Sequence, residues 1–217
     1  MIYFISDPHG GERPAGLNNY LSIAKKDDLL IILGDLGTKF EDTTLNKEFT
    51  EYFLSLDIEV AFLDGNHENF EYFNSFPLDT WMGGKVHRLS KNIVHLIRGN
   101  LYDIENNKFF VMGGCKSSQK WIDAGKWSPL EIPSEEEFNL AYDNLNKLNN
   151  KVDYILTHKY SSKLDYTLDY PKNSIEGLTK YIDTKVEFKH WYSGHWHKTI
   201  YKDDKHTVVD STPILLK

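Results

Sequence analysis

The chain has 217 residues, 40% of them hydrophobic, 26% charged and 14% aromatic, with a net charge of −7. This balance predicts one globular domain spanning 1–217 and excludes a disordered chain, because so many aromatic side chains would drive collapse. The acidic total argues against a general nucleic-acid binder, and the best apolar run, Leu29 to Leu33, is strand-sized rather than membrane-spanning.

The N-terminal segment Met1 to Asp7 has no basic stretch and no long apolar core, so no signal peptide is expected and the location read from it is cytoplasmic. A lone cysteine, Cys115, leaves no partner for an intrachain disulfide and no thiolate set for a structural zinc. In chain order, residues 2–5 predict a buried strand followed by a turn at Gly10-Gly11. A helix is predicted over 15–26, with Leu17, Tyr20, Leu21 and Ala24 on one face. A strand over 29–33, a helix over 44–56 and a strand over 59–63 continue the alternation, which implies a sheet flanked by helices. Short apolar runs at 86–89, 93–97, 101–105 and 109–112 predict hairpins.

Residues 113–133 predict a long irregular loop carrying Trp121 and Trp127. A capping box, Ser134 with Glu137, then opens a helix running to about residue 149. The rest of the chain predicts a strand at 154–157, a helix at 175–184 and β-like pieces at 190–193, 199–202, 207–210 and 214–216.

Five polar clusters each follow an apolar strand: Asp7-Pro8-His9, Gly34-Asp35, Gly65-Asn66-His67-Glu68, His158, and Gly194-His195-Trp196-His197. In layered α/β folds the carboxyl ends of neighbouring strands share a rim where ligands bind. Such a rim would gather imidazoles, carboxylates and a carboxamide. These mixed nitrogen and oxygen donors suit manganese, iron, zinc, cobalt or nickel. The candidate ligands exceed the four of a structural zinc site, and two ions would use them well.

In this order the five motifs resemble the calcineurin-like metallophosphoesterase superfamily. The resemblance implies a four-layer α-β-β-α sandwich of two mixed β-sheets flanked by helices. It also implies a ligand set in which Asp7, His9 and His197 hold one ion, Asn66, His158 and His195 the other, and Asp35 bridges both. His67 would face the phosphoryl group as the catalytic histidine, and a hydroxide held by the ions would attack phosphorus in line. Where the protein-phosphatase branch continues its Gly-Asp motif with a second Asp and an Arg, this chain has Thr38 and Lys39. Lys39 could still neutralise phosphate as a point charge. The short chain and this variant look more like small bacterial or phage-type members.

The expected activity is a two-metal hydrolysis of phosphomonoesters or small phosphodiesters. A nuclease taking nucleic acid only as substrate, or a non-catalytic scaffold, are the alternatives. Lys116, Ser117 and Ser118 are candidate phosphate contacts on the long loop, and Trp121 and Trp127 are candidates for an aromatic wall. Residues 169–175 are a second candidate specificity segment. His87, His95, His190 and His206 read as structural, Cys115 as a buried small residue, and Asp64 as a turn residue before Gly65.

Overall fold

A computed structural model describes residues 1–10, 15–37, 44–160 and 165–216. The opening alternation is realised as β1 (Ile2–Ile5), α1 (Ala15–Leu21), β2 (Leu29–Leu33), α2 (Thr44–Leu54), β3 (Glu59–Leu63) and α3 (Phe70–Asn74). A hairpin region follows, comprising β4 (Leu78–Trp81), β5 (Gly84–Arg88), β6 (Ile93–Leu96), β7 (Leu101–Ile104) and β8 (Asn107–Met112). The chain closes with α4 (Gln119–Asp123), α5 (Glu135–Lys147), β9 (Tyr154–Thr157), α6 (Ile175–Lys185), β10 (His190–Ser193), β11 (Ile200–Tyr201), β12 (His206–Val208) and β13 (Ile214–Leu215).

These strands form two mixed sheets. One has seven strands in the order β13-β1-β2-β3-β6-β5-β4, and the other six in the order β11-β12-β10-β9-β8-β7. Each sheet has a parallel centre and antiparallel edges: β1, β2, β3 and β6 in the first, β8, β9, β10 and β12 in the second. The central strands are buried on both faces and largely apolar, as strands covered on both sides must be.

Three apolar clusters separate four layers. Phe4, Ile31 and Leu63 of the first sheet meet Phe109, Leu156 and Tyr192 of the second between the sheets. Ile32 and Phe62, on the outer face of the first sheet, pack on Leu17 and Tyr20 of α1, Phe53 of α2 and Phe73 of α3. Ile155 and Trp191, on the outer face of the second, pack on Phe138 and Leu145 of α5 and Ile182 of α6. The expected α-β-β-α sandwich is therefore present.

Local chemistry explains where the elements depart from expectation. Helix α1 ends at Leu21, short of residue 26; the Ala24 N–H still donates to the Tyr20 carbonyl (2.8 Å), and beyond it the Asp28 carboxylate accepts the Lys25 N–H (2.9 Å) in a polar turn. Helix α5 begins on the predicted capping box, with the Glu137 N–H donating to Ser134 Oγ (3.2 Å) and the Ser134 N–H donating to Glu137 Oε2 (2.7 Å). The 113–133 segment is less irregular than expected, since it holds α4 and a 3₁₀ turn at Pro129–Glu131.

Candidate metal centre

The five clusters leave the carboxyl ends of β1, β2 and β3 in one sheet and β9 and β10 in the other, and contacts across the sheets bring them to one rim. Among the described residues two groups of donors form there. Asp7, His9, Asp35 and His197 make one and Asp35, His158 and His195 the other, with the donor atoms of each group within 4.8 Å of one another. Asp35 is common to both.

In the first group His9 Nε2 lies 3.0 Å from His197 Nε2, 3.6 Å from Asp35 Oδ2 and 3.9 Å from Asp7 Oδ1. Asp7 Oδ1 is 3.2 Å from His197 Nε2, yet it is enclosed and accepts no hydrogen bond of good geometry. In the second group His158 Nε2 lies 3.5 Å from Asp35 Oδ1, 3.3 Å from Asn66 Oδ1 and 3.2 Å from His195 Nδ1.

The proton inventory decides what this second cluster fits. His158 Nδ1 is 2.8 Å from the Leu33 carbonyl oxygen, which can only accept, so in the neutral ring the proton sits on Nδ1 and Nε2 presents a lone pair. That lone pair then faces two oxygens, an arrangement that repels until a cation lies between them. The mixed donors, the orphaned Asp7 oxygen and this convergence of lone pairs all fit divalent ions.

The titrating groups agree in direction. Burial pushes the His9 and His195 imidazoles toward the neutral form that ligates metals, His195 to about 3, and the carboxylates beside them oppose it only in part. Burial also pushes the Asp7 carboxyl up, but His197, His158, the Ser6 hydroxyl and the His195 N–H outweigh it and hold the group below the usual carboxylate range.

Backbone strain marks the same residues. Asp7 (φ 56°), His9 (47°), Asp35 (51°), His195 (75°) and His197 (51°) all adopt the left-handed region, where a non-glycine residue persists only if its surroundings hold it. Glycines make room for the donors. A Cβ on Gly65 would collide with Asp35 Oδ1, and one on Gly194 with Ser6 Oγ and Asp7 Oδ2.

Hydrogen bonds fix the loops. The Asn66 and His67 N–H groups both donate to Asp35 Oδ1 (2.8 Å each), and the His195 N–H donates to Asp7 Oδ2 (2.8 Å). The fully buried Glu68, to which the sequence reading gave no role, accepts from Leu36 N–H (2.9 Å), Gly65 N–H (3.2 Å) and Gly37 N–H (3.4 Å). It joins the Asp35 loop to the Asn66 loop, while burial and the neighbouring Asp35 push its carboxyl well up. Its signal was the fourth letter of Gly-Asn-His-Glu.

Asp64 is more than the turn residue expected. It is buried, its carboxylate bonded by Arg98 Nε (2.9 Å) and Nη2 and 3.3 Å from His95 Nε2, because a carboxylate at that depth needs paired charge. Burial raises the Asp64 carboxyl, but Arg98 and His95 prevail and hold it below the usual range.

His67 is half-buried at the rim. Its ring lies 5.5 Å from that of His9 and edge-on, also at 5.5 Å, to exposed Trp121, the first of the two tryptophans proposed as a wall; Trp127 is half-buried. Exposed Trp196 stands edge-on to His195 at 5.6 Å. Lys116 is exposed on its loop, whereas Ser117 is buried behind Asn66 and so is not available at the surface. Thr38 and Lys39 lie outside the described residues.

Cys115 is buried 3.9 Å from His195 Nε2, and burial pushes its thiol up to about 12, so the thiolate a nucleophile requires is not available. His190 pairs with Thr207 Oγ1 (2.8 Å), His87 with His95 (3.2 Å) and His206 with Asp183 (3.0 Å), all apart from the donor groups. The 169–175 segment touches α5 through the Tyr142 hydroxyl, which donates to the Lys172 carbonyl (2.8 Å). No described helix is long and apolar enough to cross a membrane.

No curated protein matches the sequence. Among solved structures, the protein of unknown function AQ665 from Aquifex aeolicus is similar at 16% identity and a TM-score of 0.41, covering 83% of this chain and 92% of its own. A family model described as calcineurin-like phosphoesterase matches residues 1–199, which include every donor at the rim. The chain belongs to the calcineurin-like phosphoesterase family.

Proposed function

We propose that the protein hydrolyses phosphomonoesters or small phosphodiesters at a centre of two divalent ions, manganese foremost among those its donors suit. The observation that carries this reading is the pair of donor groups sharing Asp35, with lone pairs converging in the second and an unbonded Asp7 oxygen in the first. Asp7, His9 and His197 would hold one ion and Asn66, His158 and His195 the other, Asp35 serving both. When bound, such ions supply a water of lowered pKa and positive charge for the phosphoryl oxygens.

The chain's own groups do the rest. Asp35 Oδ1 accepts the Asn66 and His67 N–H groups and so ties the shared carboxylate to the loop that carries His67. His67, half-buried beside Trp121, would stabilise charge on the phosphoryl group or give a proton to the leaving oxygen. Lys116 on the long loop and Lys39, which follows the Gly34-Asp35 motif in sequence, would add positive charge for substrate.

Hydrolysis of p-nitrophenyl phosphate and bis-p-nitrophenyl phosphate with manganese, with and without chelator, tests the reading. We expect turnover of at least one ester, abolished by chelator and reduced about 10³-fold or more in Asp35→Asn, since a shared ligand is worth several kcal/mol in the transition state. Turnover that survives both treatments would refute it.

A further inference from the structure

The carboxamide of Asn66 can face the second donor group in two ways, and only one serves a cation. Its oxygen is a ligand; its NH₂ is a donor and would repel an ion. A neighbour that distinguishes the two ends must therefore set the choice.

That neighbour sits on the long 113–133 loop. Asn66 Nδ2 is 3.1 Å from Ser117 Oγ, and Ser117 Oγ is 2.9 Å from Glu131 Oε2. The Ser117 backbone N–H, which can only donate, bonds the other Glu131 oxygen, Oε1. Glu131 and Ser117 are both buried, at 0% and 5% exposure, so water does not compete for these bonds. With a carboxylate at its end the chain has one polarity. Ser117 spends its single hydroxyl proton on Glu131, so its oxygen is left to accept, and what it accepts is the Asn66 NH₂. Asn66 Oδ1 is then turned to His158 Nε2 (3.3 Å) and the shared Asp35.

We infer that Ser117 and Glu131 are positioning residues that lock the Asn66 carboxamide with its oxygen toward the second metal position. The loop is closed on itself at the same place, since the Cys115 N–H donates to the Glu131 carbonyl (2.9 Å). Neither residue touches substrate. Their effect passes through the Asn66 carboxamide, whose oxygen faces the second group (3.3 Å to His158 Nε2), whereas the shared Asp35 is held by the Asn66 backbone N–H (2.8 Å), so the effect falls chiefly on the second position.

The inference rests on the two-ion reading, and calorimetric titration of the chelator-stripped protein with Mn²⁺ separates the two. Wild type should show two sites. Ser117→Ala should weaken the second by about 10–100-fold, the usual cost of losing a group that orients a ligand, and leave the first unchanged. Ser117→Thr, which keeps the hydroxyl, should behave as wild type. Glu131→Gln should weaken the second site as Ser117→Ala does, because an amide can donate to Ser117 and reverse the polarity. In the Ser117→Ala background Asn66→Asp should restore the second site, since a carboxylate shows oxygen whichever way it turns. Fewer than two ions in wild type would overturn the two-ion reading and this inference with it. Two ions in wild type together with unchanged binding in Ser117→Ala, an equal loss at both sites, or no restoration by Asn66→Asp would overturn the inference alone.

Discussion

The two sheets contribute unlike halves to the rim. The first supplies both carboxylates and the carboxamide, Asp7, Asp35 and Asn66, beside a single imidazole, His9; the three oxygen donors are each no more than 3% exposed, the carboxylates held by backbone N–H groups and Asn66 by Ser117. The second supplies only imidazoles, His158, His195 and His197, and these grade from wholly buried His158 to His197, whose side chain is 46% exposed. Anionic ligands are costly to bury and must be fully bonded, so their half is stapled. Neutral imidazoles cost less and need only orientation, so their half opens toward solvent and carries Trp196 at its edge. The comparison predicts that the carboxylate half is coupled to folding and the imidazole half to metal affinity.

The largest test of that contrast lies behind the carboxylate half. Arg98→Ala would leave Asp64 buried without its guanidinium, and we expect a loss of about 3–5 kcal/mol in denaturant unfolding. A loss under 1 kcal/mol would mean that water reaches Asp64. Glu68→Ala should cost less, about 1–3 kcal/mol, by stranding the N–H groups of Leu36 and Gly65, and it should weaken both ions because it frees the two loops that meet at Asp35. On the imidazole side His197→Ala should leave the unfolding midpoint nearly unchanged while weakening the first ion about 10–100-fold, a split visible by pairing melting curves with Mn²⁺ titration.

The smallest effect concerns pH. Burial lowers the His206 imidazole, but bonds to Asp183 and Asp203 prevail and raise it above its ordinary 6.5. Folding therefore gains most below the unfolded value, where the ring is charged in both states, and this gain fades as pH rises through the folded value. His206→Gln should flatten the stability profile above pH 6.5; an unchanged profile would show that the pair contributes nothing.

Much of this organisation is legible in the sequence, for physical reasons that differ by region. The rim could be read because each donor cluster directly follows an apolar run, and parallel strands align their carboxyl ends. The capping box at Ser134 could be read because both its bonds span three residues. Strand β4 was missed because Leu78–Trp81 is an edge strand with little burial, joined to β5 by Met82 (φ 48°) and Gly83 (φ 81°), where a methionine occupies a position usually taken by asparagine or aspartate. The pairing Asp64–Arg98 was hidden because it spans 34 residues and exists only once the strands are in register, and Ser117–Glu131 because it spans 14 and exists only once the loop folds back on itself. Lone letters such as Asp64 carry no trace of the partner that tertiary folding brings.

The most direct measurement is the crystal structure of the manganese-loaded protein with anomalous scattering recorded. The account predicts two peaks per chain about 3.5–4 Å apart, with Asp35 between them and Asn66 Oδ1 facing the second. A single peak, or two peaks that do not share Asp35, would contradict it.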